Sequence, residues 1–331
     1  MAKRKTPAVG TAKARPGKWT TGELVLGHYP DAPITAPVNI LCGAEDGPTL
    51  WVQAAIHGTE VGGAMGLLRL FDKLDPARMR GTIIAVMAAN PTAFRARARN
   101  TPLDGENLNR LFPGDPAGPH SRQAAYVLLE TALDVSDAMM DLHSGGDEAV
   151  VPFYALYWDD GSPASQEAAR LARAAGTSDL WASRDEWLTG TMLANYTRRG
   201  KPAVIVECGG GGQVPEPHID SFVEAVGGVA RALGIVPGRP PRQESYRIMG
   251  EALLVFNKRG GYFLPAVGVG AVVRKGQVIA RVMDPHGRIV EELESPNGPA
   301  YIAAIVRPYL PVHSGSMVAE CIKVVKRRAK A

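Results

Sequence analysis

Cysteine is scarce in this chain of 331 residues. Cys42, Cys208 and Cys321 stand far apart, at no spacing that suits a metal knot, a redox pair or a disulfide framework, which fits a reducing compartment. No apolar run approaches the ~20 residues that a membrane span needs. The charged N-terminus is not followed by the apolar core of a secretory signal, so no membrane partner is expected and the expected location is cytoplasmic. Acids are missing from both ends: residues 1–18 carry six Lys or Arg and residues 323–331 carry five, with no Asp or Glu in either. The ends hold eleven of the 37 bases, which leaves 26 bases against 33 acids on the body. Nucleic acid is therefore not an expected partner, because phosphate neutralisation needs a basic face on the folded part. The basic ends read as solvated tails, with residues 1–18 poorly ordered.

What is present suits a folded chain with a real core. Hydrophobic residues make up 45% and charged residues 21%, and the length suggests two domains. Short apolar runs at 50–56, 82–88, 138–142 and 203–206 read as buried strands. Stretches with helical spacing at 62–74, 121–133, 166–175 and 218–233 lie between or beyond them. This alternation predicts an α/β fold with a mixed, mostly parallel sheet covered by helices on both faces. The run VPGRPPR at 236–242 reads as a linker. The glycine-punctuated segments after it predict a small C-terminal β domain over 241–331, leaving 19–240 as the catalytic domain.

Three of the strands end in ionisable residues. IHGTEVGG (56–63) offers His57 and Glu60, three apart, able to converge on one ion. MMDLHSGG (139–146) offers His143, with Asp141 on the same face of the strand. AVIVECGGGG (203–212) offers Glu207 followed by four glycines. Each motif alone has a plainer reading, as a chance spacing, a satisfied polar histidine, or a carboxylate that caps a helix or pairs with arginine. Together they are stronger, because a ligand site in an α/β sheet lies at the carboxyl ends of its strands. Two histidines and a carboxylate are also the usual ligands of a catalytic zinc that keeps a fourth position open. This predicts one Zn2+ per chain on His57, Glu60 and His143, with Asp141 orienting a ligand histidine and Glu207 as general base. Within NPTAFRARARNTPLDGENLNRLFPG (90–114), Arg95 and Arg97 read as surface residues, whereas Arg99, Asn109 and Arg110 can clamp an anionic substrate and stabilise an oxyanion.

These motifs, in this order over residues 56–212, resemble the succinylglutamate desuccinylase and aspartoacylase family, related to the zinc carboxypeptidases. The resemblance rests on the His-x-x-Glu of IHGTEVGG, the NP followed by DGENLNRLFPG, DLHSG and VECGGGG. It implies a carboxypeptidase-like α/β/α zinc-hydrolase core and hydrolysis of the amide bond of a small, anionic N-acyl amino acid. It also implies that His57, Glu60 and His143 bind zinc, that Glu207 serves as general base and then acid, that Asn109 and Arg110 hold a substrate carboxylate, and that Arg99 polarises the scissile carbonyl. Some members have DLHN where this chain has DLHSG, which bears on substrate identity rather than on the metal. The C-terminal region is also weakly similar to biotinyl carrier modules, but DPHGR (284–288) offers no lysine to modify, so a wall, lid or homo-oligomer contact is expected instead. Tyr262 is within the segment that could reach the substrate from there, but a packing role is expected for it. A metallocarboxypeptidase acting on peptides would share the metal chemistry, and a non-catalytic zinc-binding protein would lack part of the constellation that is complete here.

Overall fold

The computed structural model describes residues 6–329. Strands β1 (Ala8–Val9) and β2 (Ala12–Lys13) form a small hairpin ahead of the long antiparallel pair β3 (Lys18–His28) and β4 (Pro33–Cys42). The alternating part follows as β5 (Glu45–Ala54), α1 (Gly62–Lys73), β6 (Arg80–Val86), α2 (Pro91–Ala96), α3 (His120–Val135), β7 (Ala138–His143), β8 (Ala149–Trp158), α4 (Pro163–Ala174), β9 (Asp179–Ser183), α5 (Met192–Arg198), β10 (Ala203–Gly210) and α6 (Glu216–Ala232). Beyond α6 lie only strands: β11 (Ser245–Phe256), β12 (Gly261–Pro265), β13 (Val272–Val273), β14 (Val278–Met283), β15 (Ile289–Glu294), β16 (Ala300–Val306), β17 (Pro311–Val312) and β18 (Met317–Ala329).

Side-chain alternation explains the layers. In β5, Leu50 and Val52 point into a core shared with α1, α4 and α6, while Trp51 points into the opposite core with α3 and α5. Helices thus cover both faces, and every residue of β7 is buried, as a central strand requires. The NP dipeptide has a local role: Asn90 Oδ1 accepts from Ala93 N at 3.2 Å and Pro91 opens α2, a cap worth about 1 kcal/mol.

One twelve-stranded sheet runs in the order β13-β16-β18-β11-β9-β8-β10-β7-β5-β6-β4-β3. Among the strands before residue 240, four pairings are parallel and three antiparallel; with the late strands included, the sheet is no longer mostly parallel. Its parallel pairings are β5–β6, β5–β7, β7–β10, β8–β9 and β9–β11, outnumbered by seven antiparallel ones. Crossover helices make the centre parallel, whereas the β3–β4 hairpin and the late strands extend it antiparallel. The C-terminal region also differs from a separate β domain. β11, β13, β16 and β18 join the main sheet, and only β12, β14, β15 and β17 form a second, four-stranded one. A third core, including Phe263, Ile279 and Cys321, lies between them.

The N-terminal expectation changes too. From residue 6 onward the chain is ordered, because Val9 and Ala12 are fully buried and Thr11 N donates to Glu23 O at 3.0 Å. Its small apolar residues pack although lysine, proline and glycine surround them. Residues 1–5 of the expected tail, and 330–331 at the basic C-terminus, lie outside the described residues. The backbone of 326–329 continues β18 alongside Ser245–Ile248 of β11. Among the described residues no helix is long and apolar enough to cross a membrane.

Because β11 pairs with β9, a chain ending at residue 240 would bare that strand edge and the apolar face behind it. We expect such a truncation to be insoluble or to melt without a cooperative transition, as measured by sedimentation and circular dichroism. A soluble, cooperatively melting fragment would show that residues 19–240 fold alone.

Candidate active site

β10, β7 and β5 lie side by side and parallel, with Glu207 paired to His143 and Asp141 paired to Gln53. Their carboxyl ends therefore open at one place. Past the end of β5, Ala55 adopts a φ of 52°, a left-handed conformation that costs roughly 1–2 kcal/mol in a residue with a Cβ. That turn leads directly into His57 and Glu60. Past Glu207, Gly209, Gly210, Gly211 and Gly212 all have positive φ. A Cβ on Gly210 would lie 2.4 Å from Ala149 O, so only glycine lets the chain leave the strand so close to the β8 backbone.

The Glu60 carboxylate sits between the two imidazoles. Oε1 is 2.8 Å from His57 Nδ1 and Oε2 is 2.9 Å from His143 Nδ1. Ser144 N donates to Oε2 at 3.1 Å, and Arg99 NH1 donates to Oε1 at 2.9 Å. Candidate ligand atoms of His57, Glu60 and His143 all fall within 4.8 Å of one another, and all three residues are buried. The outer ring nitrogens decide whether this set suits a cation. His57 Nε2 faces Asn107 Oδ1 at 3.1 Å, and His143 Nε2 faces Asp141 Oδ2 at 3.1 Å. With a cation present, both acceptors would keep the proton on Nε2, which frees the Nδ1 lone pairs for the ion; without one, Nδ1 donates to Glu60. Two nitrogens and a carboxylate so oriented fit a divalent metal such as zinc.

Burial and charge shift the titrations. Burial lowers the His57 pKa. At His143 burial acts in the same direction, but Asp141 and Glu60 outweigh it and hold the pKa well above its ordinary value. Burial works to raise Glu60, yet the two histidines hold it well below the usual carboxylate range. Glu207 is pushed up to about 8, chiefly by burial, with Glu60 and Glu320 adding and His143 and Arg99 opposing. Its Oε2 is buried and has no hydrogen-bond partner.

Every other candidate can be placed. Asp141 is fully buried, and the contact of its Oδ2 with His143 Nε2 at 3.1 Å is its link to the site. Arg110 lies over Trp187, 5.1 Å from the ring centroid, and donates to Asn109 O at 2.7 Å; burial lowers its pKa to about 10. Asn109 is buried, with Oδ1 accepting from Met192 N and Nδ2 3.3 Å from His143 Nε2. It thus touches the histidine as well as adjoining Arg110. A cavity of about 550 Å³ contains His57, Glu60, His143, Glu207, Arg99 and Arg110 in its lining. Arg97, read as a surface residue, also lines it, whereas Tyr262 is 40% exposed and does not.

Sequence reasoning missed Asn107, Trp187 and Glu320. Asn107 lay inside DGENLNR, and its dual bond to His57 and to Asn109 N is tertiary. Trp187 belongs to no motif. Glu320 had one signal, a lone acid in the apolar run MVAECIKVV.

Comparison with known proteins gives concordant results. The succinylglutamate desuccinylase/aspartoacylase catalytic domain matches residues 46–233. An N-alpha-acetyl-L-2,4-diaminobutyric acid deacetylase of Halomonas elongata is 32% identical over 260 residues, 76% of this chain and 75% of that protein. Among solved structures, the product-bound ectoine utilization protein EutE (DoeB) of Ruegeria pomeroyi superposes with a TM-score of 0.83 at 26% identity, covering 94% of this chain and 96% of that one. An aspartoacylase family protein of Mesorhizobium loti superposes with a TM-score of 0.78 at 25% identity, covering 97% and 100%.

Elemental analysis of protein purified without chelator should find about one zinc per chain, and little in His57→Ala or His143→Ala. His143 must lose a proton to ligate, so metal affinity should weaken roughly tenfold per pH unit below its raised pKa. Retention of metal by both variants would show that the ion sits elsewhere. In metal-free protein Glu207 holds its proton up to about 8, against 4.5 for an ordinary glutamate. The native state then binds more protons between those values, so stability falls as pH rises through them. Metal-free Glu207→Gln should therefore melt higher than metal-free wild type at about pH 9, and no higher at about pH 4.

Proposed function

The chain belongs to the succinylglutamate desuccinylase/aspartoacylase family, and from that premise we propose that it is a zinc-dependent deacylase that hydrolyses the amide bond of a small N-acyl amino acid. The observation that carries this reading is the convergence of His57, Glu60 and His143 beside Glu207 in one cavity of about 550 Å³. That volume suits a metabolite-sized ligand. The relative from Halomonas elongata, named as a deacetylase of an N-acetylated amino acid, supports the same class of reaction.

His57, Glu60 and His143 would hold the metal, which when bound polarises the scissile carbonyl and makes water more acidic. Arg110 takes the substrate carboxylate, its guanidinium braced by Trp187 and by Asn109 O. Asp141 holds the His143 ring in orientation, with Asn109 packed against the same edge of the ring. Arg99, already on Glu60 Oε1, is placed to steady negative charge gathering on the carbonyl oxygen. Glu207 removes a proton from the attacking water and delivers it to the departing nitrogen as the C–N bond breaks, giving a free carboxylic acid and an amine. Its unsatisfied Oε2 is suited to this because no protein donor competes for it. A cation in the neighbouring cradle lowers the Glu207 pKa and favours the carboxylate needed as base.

We further propose that residues 19–240 carry the chemistry and that 241–331 supply a wall of the cavity through Leu254, Ala304 and Glu320. Such a wall restricts the site to small substrates and disfavours the carboxypeptidase alternative.

Zinc-loaded protein should release amine from one or more members of a panel of acetyl, succinyl and formyl amino acids, and little from longer peptides. Glu207→Gln should lower kcat by about 10³-fold while keeping its metal. Full activity in that variant, or turnover of peptides alone, would overturn the reading.

A further inference from the structure

One acid interrupts the cavity-facing side of β18. Glu320 stands opposite Leu254 of β11 and Ala304 of β16, and all three line the cavity. Ile322 continues this side into the α3 core, whereas Cys321 packs toward the four-stranded sheet. Glu320 is only 7% exposed, its Oε1 has no hydrogen-bond partner, and it forms no ion pair among the described residues. Arg110 attracts it and Asp185 repels it, while burial lifts its carboxyl to about 7. Yet the Arg110 guanidinium is already engaged with Trp187 and Asn109 O.

A carboxylate left without a partner in an apolar wall opposes folding, so its presence beside a ligand cavity calls for a partner that arrives with the ligand. Arg110 and Glu320 are close enough to influence each other but are not paired. A ligand bearing both a carboxylate and an ammonium group, set between them, satisfies both. We infer that Glu320 receives the free ammonium group of the substrate, which makes that substrate a diamino acid acylated on one nitrogen and cationic on the other. The amide then lies at the His57–Glu60–His143 cradle, the carboxylate on Arg110 and the ammonium against Glu320. The cavity's volume limits the carbon chain to a short one.

The inference rests on the deacylase reading for turnover, but not for binding, so two measurements separate them. The first compares kcat/KM for Nα-acetyl-L-2,4-diaminobutyrate with that for Nα-acetyl-L-norvaline, which has nearly the same shape without the charge. Wild type should favour the cationic compound by about 100-fold, chiefly through KM, and Glu320→Gln should erase most of that preference. Glu320→Asp, which keeps the charge, should retain part of it. Metal content and melting temperature identify any variant that has failed to fold. The second measurement is calorimetric binding of free 2,4-diaminobutyrate and free norvaline to the metal-loaded protein, which needs no turnover. Tighter binding of the diamino acid, lost in Glu320→Gln, supports the inference. Equal binding of the two amino acids by wild type, or an equal fall on both acyl substrates in Glu320→Gln, overturns it. Glu320-dependent binding with no hydrolysis of any N-acyl amino acid would leave the cation site standing and sink the deacylase reading instead.

Discussion

The buried carboxylate of Glu60 is the interaction on which the site depends. It is clasped by two imidazoles and a guanidinium, and Ser144 N adds a backbone donor. Such a group is tolerable only with donors on several sides, and these come from different parts of the chain. His57 shares a turn with Glu60, His143 closes β7, and Arg99 follows α2. The β5–β7 and β7–β10 registers must therefore be correct to within a residue, since a slip of one would turn His143 and Glu207 to the opposite face.

Negative charge exceeds positive charge around the cavity. Glu60, Asp141, Glu207 and Glu320 are gathered near Arg99 and Arg110, with His143, which loses its proton on ligating a metal. The protein alone bears the cost of this imbalance as raised pKa values at Glu207 and Glu320 and as unpartnered oxygens on the same two residues. A metal cation would balance the strand-end half of the excess, and the proposed cationic ligand the part at Glu320. Stability sacrificed in the empty site thus becomes binding energy in the filled one.

The extended sheet closes one side of the cavity. β11 pairs with β9 and carries β18 and β16 with it, so a late segment of the chain becomes a continuation of the early sheet. Its alternation gives β18 two environments: Cys321 packs toward the four-stranded sheet, and Glu320 faces the cavity. A loosely tethered lid could not place one carboxylate so reproducibly.

Much of this was legible in the sequence, and for local reasons. Apolar runs of strand length located β5, β6, β7 and β10, helical spacing located α1, α3, α4 and α6, and the ionisable residues next to strand ends named His57, Glu60, His143 and Glu207. The four glycines after Glu207 were visible as a run, but that all four take positive φ only the structure shows. Patterns of this kind are written within a dozen neighbouring residues. Tertiary structure alone decided that β11, β13, β16 and β18 join the main sheet, because strand partners are chosen across long separations by edges and registers that no local pattern records. It decided equally that Asn107 braces His57, that Asn109 reaches His143 as well as adjoining Arg110, and that Glu320 faces the cavity. A side chain's chemistry belongs to the sequence, but the groups it meets depend on how distant segments pack.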